Sequence, residues 1–154
     1  MRCQSATVSL IEAYRAARYE VDVRGKVLVI GLGQPLPAAL DAYLLAHDIA
    51  IAAFLSAANP RSMALPDQQN SRRHTALLAA LSTLGLSWLD ANGCDATGQW
   101  PSEPSVLALG IERQQAMHIA EQFEQNAYLE VIRGGSACLI LTSHWATRDM
   151  SCDR

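Results

Sequence analysis

Long apolar runs are missing from this chain: the longest, residues 49–58, is strand-sized, where a membrane span needs about 20 residues. Cysteines at ligand spacing are missing too. Cys3, Cys94, Cys138 and Cys152 form no CxxC or CxxH pair, so zinc has no ligand pattern and no metal site is expected. In a reducing compartment they are expected as free thiols. A basic surplus is absent: 12 Lys and Arg stand against 15 Asp and Glu, a net charge of -3, which argues against a general polyanion binder. Residues 1–20 hold no continuous apolar h-region, so the expected location is cytoplasmic. The histidines, His47, His74, His118 and His144, never fall three or four residues apart, and no GxSxG elbow accompanies the serines. No cofactor is expected.

What is present is ordinary globular material, with 50% apolar and 18% charged residues. A chain of 154 residues can bury roughly two thirds of its unfolded surface. With no repeat, charge block or linker, residues 7–141 read as one domain and 142–154 as a loose tail.

Periodicity predicts helices over residues 7–17, 37–46, 67–84 and 112–126. Strands are predicted over 19–23, 27–30, 49–58, 86–90, 104–110, 128–132 and 137–141, with 91–99 a polar loop. Arg24-Gly25-Lys26 and Arg133-Gly134-Gly135-Ser136 read as hairpin turns. Hairpins alternating with helices point to an α/β or α+β fold, a single mixed sheet with three to four packed helices.

Two glycine- or acid-rich stretches suggest sites and fail on inspection. Gly31-Leu32-Gly33-Gln34-Pro35-Leu36-Pro37 lies between a strand and a helix, as a dinucleotide fingerprint does, but Leu36 holds the third-glycine place and two prolines remove amides. The stretch from Asp90 to Asp95 resembles a calcium loop but has Pro101 where the bidentate glutamate belongs.

Two other stretches carry chemistry. Asn59-Pro60-Arg61-Ser62 follows an apolar strand, a place where open sheets put ligands. Arg61 and, on the next helix, Arg73 offer planar donor forks for an anion; Asn59, Ser62 and Asn70 offer neutral donors and acceptors. The alternative is a plain Asx-type turn whose arginines are solvated or paired with Asp67 and Glu103. In Gln99-Trp100-Pro101-Ser102-Glu103-Pro104, Trp100 is either a stacking surface or a lid on the core, and Glu103 is a candidate general base. Gln122, Gln125 and Asn126 close the last helix as an amide cluster or a pocket rim.

Ala13-Tyr14 followed by Tyr19, "AFLSAANPRSMAL", Asn70 with Arg73, "GQWPSEPSVLALGI" and "AEQFEQNAYL" together resemble a bacterial family catalogued as a domain of unknown function, number 3293. The resemblance covers most of residues 10–141. It implies an organisation and no activity. Where the family pattern has an aromatic just before the turn's asparagine, this chain has Ala58.

The expectation is a domain binding a small anionic or polar ligand, such as a nucleotide or phosphorylated metabolite. Arg61 and Arg73 would hold it, Asn59, Ser62 and Asn70 orient it, and Trp100 and Glu103 close the pocket. The competing expectation is a noncatalytic protein-interaction module or homodimer, motivated by the lack of a complete catalytic set. A nucleic-acid accessory role rests only on Arg72-Arg73, and neither nucleic acid nor membrane is an expected partner.

Overall fold

In the first strand Tyr19, Val21 and Val23 are buried while Arg18 and Asp22 are exposed, the period-two pattern of a strand with one covered face. The computed structural model describes residues 2–98 and 101–143, with side chains from Ser9 onward. Trp100 and residues 144–154 of the expected tail lie outside the described residues.

The elements run α1 (Arg2–Ala16), β1 (Arg18–Val23), β2 (Lys26–Ile30), α2 (Ala38–Ala46), β3 (Ile51–Ser56), α3 (Asp67–Thr83), β4 (Ser87–Cys94), β5 (Glu103–Leu109), α4 (Arg113–Gln122), β6 (Ala127–Ile132) and β7 (Ala137–Leu141). Seven strands form one sheet in the order β2-β1-β4-β5-β3-β6-β7, and every pairing between them is antiparallel. With four helices beside it, the fold is α+β. The one parallel pairing among the described residues is the isolated bridge between Leu32 and Ala137. That bridge joins the continuation of β2 to β7, so the sheet curls until its two edges meet.

The glycine- and proline-rich stretch after β2 is this seam. Gly33 N donates to Ala137 O at 2.9 Å and Leu36 N to Gly135 O at 3.4 Å. Its amides are engaged in closing the sheet, which removes the phosphate-cradle reading on physical grounds.

Alternation along β3 divides the core in two. Ala52 and Phe54 point into the curl, where residues from all seven strands meet Leu36, Leu40 and Leu44 of α2 and its approach. Ala53 and Leu55 point to the other face, covered by Leu77 and Leu81 of α3 and by Ala116, Ile119 and Ala120 of α4. A strand covered on both faces carries the continuous apolar run seen here.

Several boundaries differ from expectation. The first helix begins at Arg2. β4 continues through the supposed loop to Cys94, because Ala91, Asn92 and Gly93 pair with β1 on one side and β5 on the other. Ladder bonds on both sides outweigh the poor strand preference of Asn and Gly. The last helix ends at Gln122, four residues early, for a reason that shapes the candidate site.

Candidate functional site

That early end is a Schellman motif. Glu124 takes φ +57°, Gln125 N donates to Ala120 O at 2.9 Å, and Glu124 N donates to Glu121 O at 3.0 Å. A glutamate occupies the place glycine favours. The carbonyls of Phe123, Glu124 and Gln125 are left pointing outward at the negative end of the helix dipole.

The Asn59–Ser62 turn docks onto them. Arg61 N donates to Glu124 O at 2.8 Å, and Arg61 Nη1 donates to Gln125 O at 3.0 Å. From α3, Arg73 donates through Nη2 to Phe123 O and through Nε to Ala57 O, each at 2.6 Å, and Nη1 lies 3.7 Å from the Glu124 carboxylate. Gln125 Nε2 bridges Ala58 O and Phe123 O. Both arginines therefore serve a helix end. Neither pairs with Asp67 or Glu103, and Glu124 is the carboxylate partner Arg73 has.

The turn itself is strained. Asn59, Arg61 and Ser62 have φ of +48°, +53° and +61°. Asparagine visits this region readily, but for arginine and serine it costs about 1–2 kcal/mol each. The bonds to the helix end and Asn126 Nδ2 donating to Ser62 Oγ at 3.0 Å hold it in place.

Asn59 plays a different part. Its Oδ1 accepts from Leu65 N at 3.0 Å and from Asn70 Nδ2 at 2.9 Å, and its own N donates to Asn70 Oδ1 at 3.0 Å. Its Nδ2 donates to Glu103 Oε1 at 2.8 Å. Asn70 is thus a buried clasp between α3 and the turn, and Asn59 carries the turn across to β5. The two stretches singled out in the sequence meet at this bond.

Glu103 opens β5 where the sheet's end faces outward, and it lines four neighbouring cavities. The largest, about 330 Å³, runs from Asn59 and Asn70 to Asp67 and the Pro101–Pro104 stretch. A second of about 150 Å³ is shared with Tyr14, Ala58, Ser62, Gln125 and Asn126. A third and fourth enter the curl's mouth between Tyr14 and Gly93, under α1. A Cβ at Gly93 would meet Ser105 Oγ at 3.8 Å, an ordinary contact. Barrel mouths are a common place for ligands.

The electrostatics of this mouth are uneven. Burial pushes the Glu103 carboxyl above its ordinary range, and the Asn59 hydrogen bond opposes part of that shift. No cation lies within ion-pair distance of Glu103 among the described residues. Burial also raises the Tyr14 and Tyr19 phenols, with the Glu103 charge adding to it. Both stay neutral donors. Tyr19 OH donates to Tyr14 O, tying the end of α1 to β1.

Of the expected site residues, Asn59, Ser62, Asn70 and Glu103 line this group of cavities. Arg61 and Arg73 sit behind its wall on the helix end, and Trp100 lies outside the described residues. Tyr14 is the wall residue that residue-by-residue reading passes over, although the family resemblance carries it. Asn126, 4% exposed, sits at the back; its Oδ1 has no partner among the described residues.

Residues 55–128 match the model of a family of proteins of unknown function, DUF3293. The matched segment holds the turn, Asn70, Arg73, Glu103, Gln125 and Asn126; Tyr14 lies outside it. No curated protein and no solved structure gives a significant match.

Proposed function

We propose that this chain binds a small polar ligand in the cleft where the Asn59–Ser62 turn meets the start of β5. One observation carries the reading: Glu103, a partly buried carboxylate with no cation at ion-pair distance among the described residues, lines four cavities at once and is held in place by Asn59. A fold without a site there would gain by putting an apolar or neutral residue at position 103. The strained turn supports the same reading, because non-glycine residues at positive φ cluster at binding sites.

Among anionic or polar ligands, the polar kind draws more support. A nucleotide or phosphorylated metabolite held by Arg61 and Arg73 would have to compete with the carbonyls those side chains already serve. Glu103 is the group suited to acid–base chemistry, since its upward shift moves it toward neutrality, where such groups work best. A cytoplasmic location belongs to the same proposal and draws on the free thiols of Cys94 and Cys138. No helix among the described residues is long and apolar enough to cross a membrane.

The interaction-module reading draws on one feature, the exposure of Val27 (55%) and Val29 (40%) on one face of β2. Light scattering separates the two: a monomer at high concentration counts against it.

The direct test is a thermal-shift screen of nucleotides, sugar phosphates, carboxylates, amines and neutral polar metabolites. A ligand at a hundred times its dissociation constant adds about 2.7 kcal/mol, enough to raise the midpoint by several degrees. The reading expects a shift from one chemical class that Glu103→Ala removes. A shift unchanged in that variant places binding elsewhere.

A further inference from the structure

The class of ligand can be narrowed, in a step that rests on the pocket reading above. The larger cavity carries two carboxylates, Asp67 and Glu103, and the smaller carries Glu103; among the described residues neither wall holds a lysine, arginine or histidine. Among the described residues Glu103 accepts one side-chain hydrogen bond, from Asn59 Nδ2. An ionised carboxylate has about four acceptor sites, so most of its capacity is unfilled.

A second observation points the same way. Asn126 is buried, donates to Ser62 Oγ, and lines the smaller cavity beside Glu103. Its Oδ1 is a buried acceptor with no partner among the described residues. Such an atom costs free energy until a donor reaches it. The terminal torsion of asparagine is broad, so a modest turn of the carboxamide presents this oxygen to the cavity.

Acceptors therefore await donors on a wall with negative charge. A phosphate or carboxylate entering here would meet Glu103 and Asp67 with no compensating cation among the described residues. We propose that the cleft binds a small organic cation, an amine or guanidinium compound, whose N–H groups pair with the Glu103 carboxylate and Asn126 Oδ1. Charge-assisted bonds of this kind are short and about twice as strong as neutral ones. Tyr14 adds an aromatic side chain to the same wall, a surface cations favour.

The test follows the side-chain amide signals of Asn59 and Asn126 by NMR in the full chain. The probes are methylguanidine, methyl phosphate and acetate at matched ionic strength. Methylguanidine is expected to shift both signals saturably, with a dissociation constant of about a millimolar for so small a probe. Glu103→Gln, whose spectrum also reports that the fold is kept, is expected to weaken it at least about tenfold, as loss of one charge-assisted pair should. Saturation by methyl phosphate or acetate, with no response to methylguanidine, overturns the cation and leaves the pocket standing. No response to any of the three overturns the cation as well, and a thermal-shift screen equally silent across every class removes the pocket itself.

Discussion

Asn59 Nδ2 and Glu103 Oε1 lie 2.8 Å apart, joining a turn and a strand 44 positions distant in sequence. Because Asn59 also holds Leu65 and Asn70, the same side chain closes the turn, seats α3 and orients the carboxylate. Asn59→Ala is expected to cost about 2–4 kcal/mol, combining several buried hydrogen bonds with a positive-φ position that alanine tolerates poorly. Asn59→Gly, which relieves the backbone, should recover about 1 kcal/mol of that. Urea denaturation of the two variants measures both quantities.

Arg73 is expected to behave as a structural residue. Its bonds to Ala57 O and Phe123 O tie α3 to the end of β3 and the end of α4. Arg73→Met should destabilise by about 2–3 kcal/mol, and Arg73→Lys should recover little, because an ammonium cannot reproduce the fork. Ligand affinity of the folded fraction should stay within about threefold of the wild type, a change worth under 1 kcal/mol. Calorimetry at a temperature where the variant is folded checks this.

Glu103 should lower stability as pH rises. Its folded-state pKa lies above the unfolded one, so between the two the folded chain binds more protons, and stability falls through that window. Asn59 from the turn, Tyr14 from α1, Tyr19 from β1, Asp67 from α3, and Cys94 and Asp95 at the end of β4 are among the polar and titratable groups around it. Glu103→Gln keeps an acceptor for Asn59 and removes the charge. The variant is expected to be more stable than the wild type at pH 7, with the difference fading below about pH 4, where the unfolded carboxyl is also protonated. Unfolding curves across pH 3–8 decide it.

Glu130 should show the opposite slope. Arg113 donates to both its oxygens, at 2.7 and 2.6 Å, and this pairing holds the Glu130 carboxyl below its usual range. Its stabilising contribution is present above the unfolded pKa and is lost as pH falls through the folded one. Glu130→Gln should therefore be destabilised at pH 7 and approach the wild type in acid.

Ala58 lines the 150 Å³ cavity with Glu103 and Asn126. Ala58→Phe should fill that space and abolish ligand-induced thermal shifts, at a stability cost of about 1–3 kcal/mol from overpacking. Retained shifts would place the ligand in the larger cavity alone.

Much of the fold was legible because its signals are local. Alternation in Tyr19-Glu20-Val21-Asp22-Val23, the leucine spacing of α3 and the glycine turn at 133–136 each follow from a few neighbouring residues. The second half of β4 was not, because Asn92 and Gly93 are strand residues only through partners in β1 and β5. The strand order and the closing of the sheet through Leu32 and Ala137 are likewise long-range. At the site, Asn59 and Glu103 could be singled out as polar residues at the ends of apolar strands. The arginines' engagement with carbonyls was not legible, because a guanidinium has the same sequence signature whether it meets an anion or the end of a helix. Asn126 could be placed at a helix end, but its unpaired oxygen becomes visible only when every neighbour is in position.

The central claim is that the mouth around Glu103 is a ligand site. A crystallographic fragment screen with polar, cationic and anionic fragments tests it most directly. The account predicts bound fragments clustering between Glu103, Asn59 and Asn126, with amine or guanidinium groups on the carboxylate. Fragments that bind elsewhere on the protein and leave this mouth empty would contradict it.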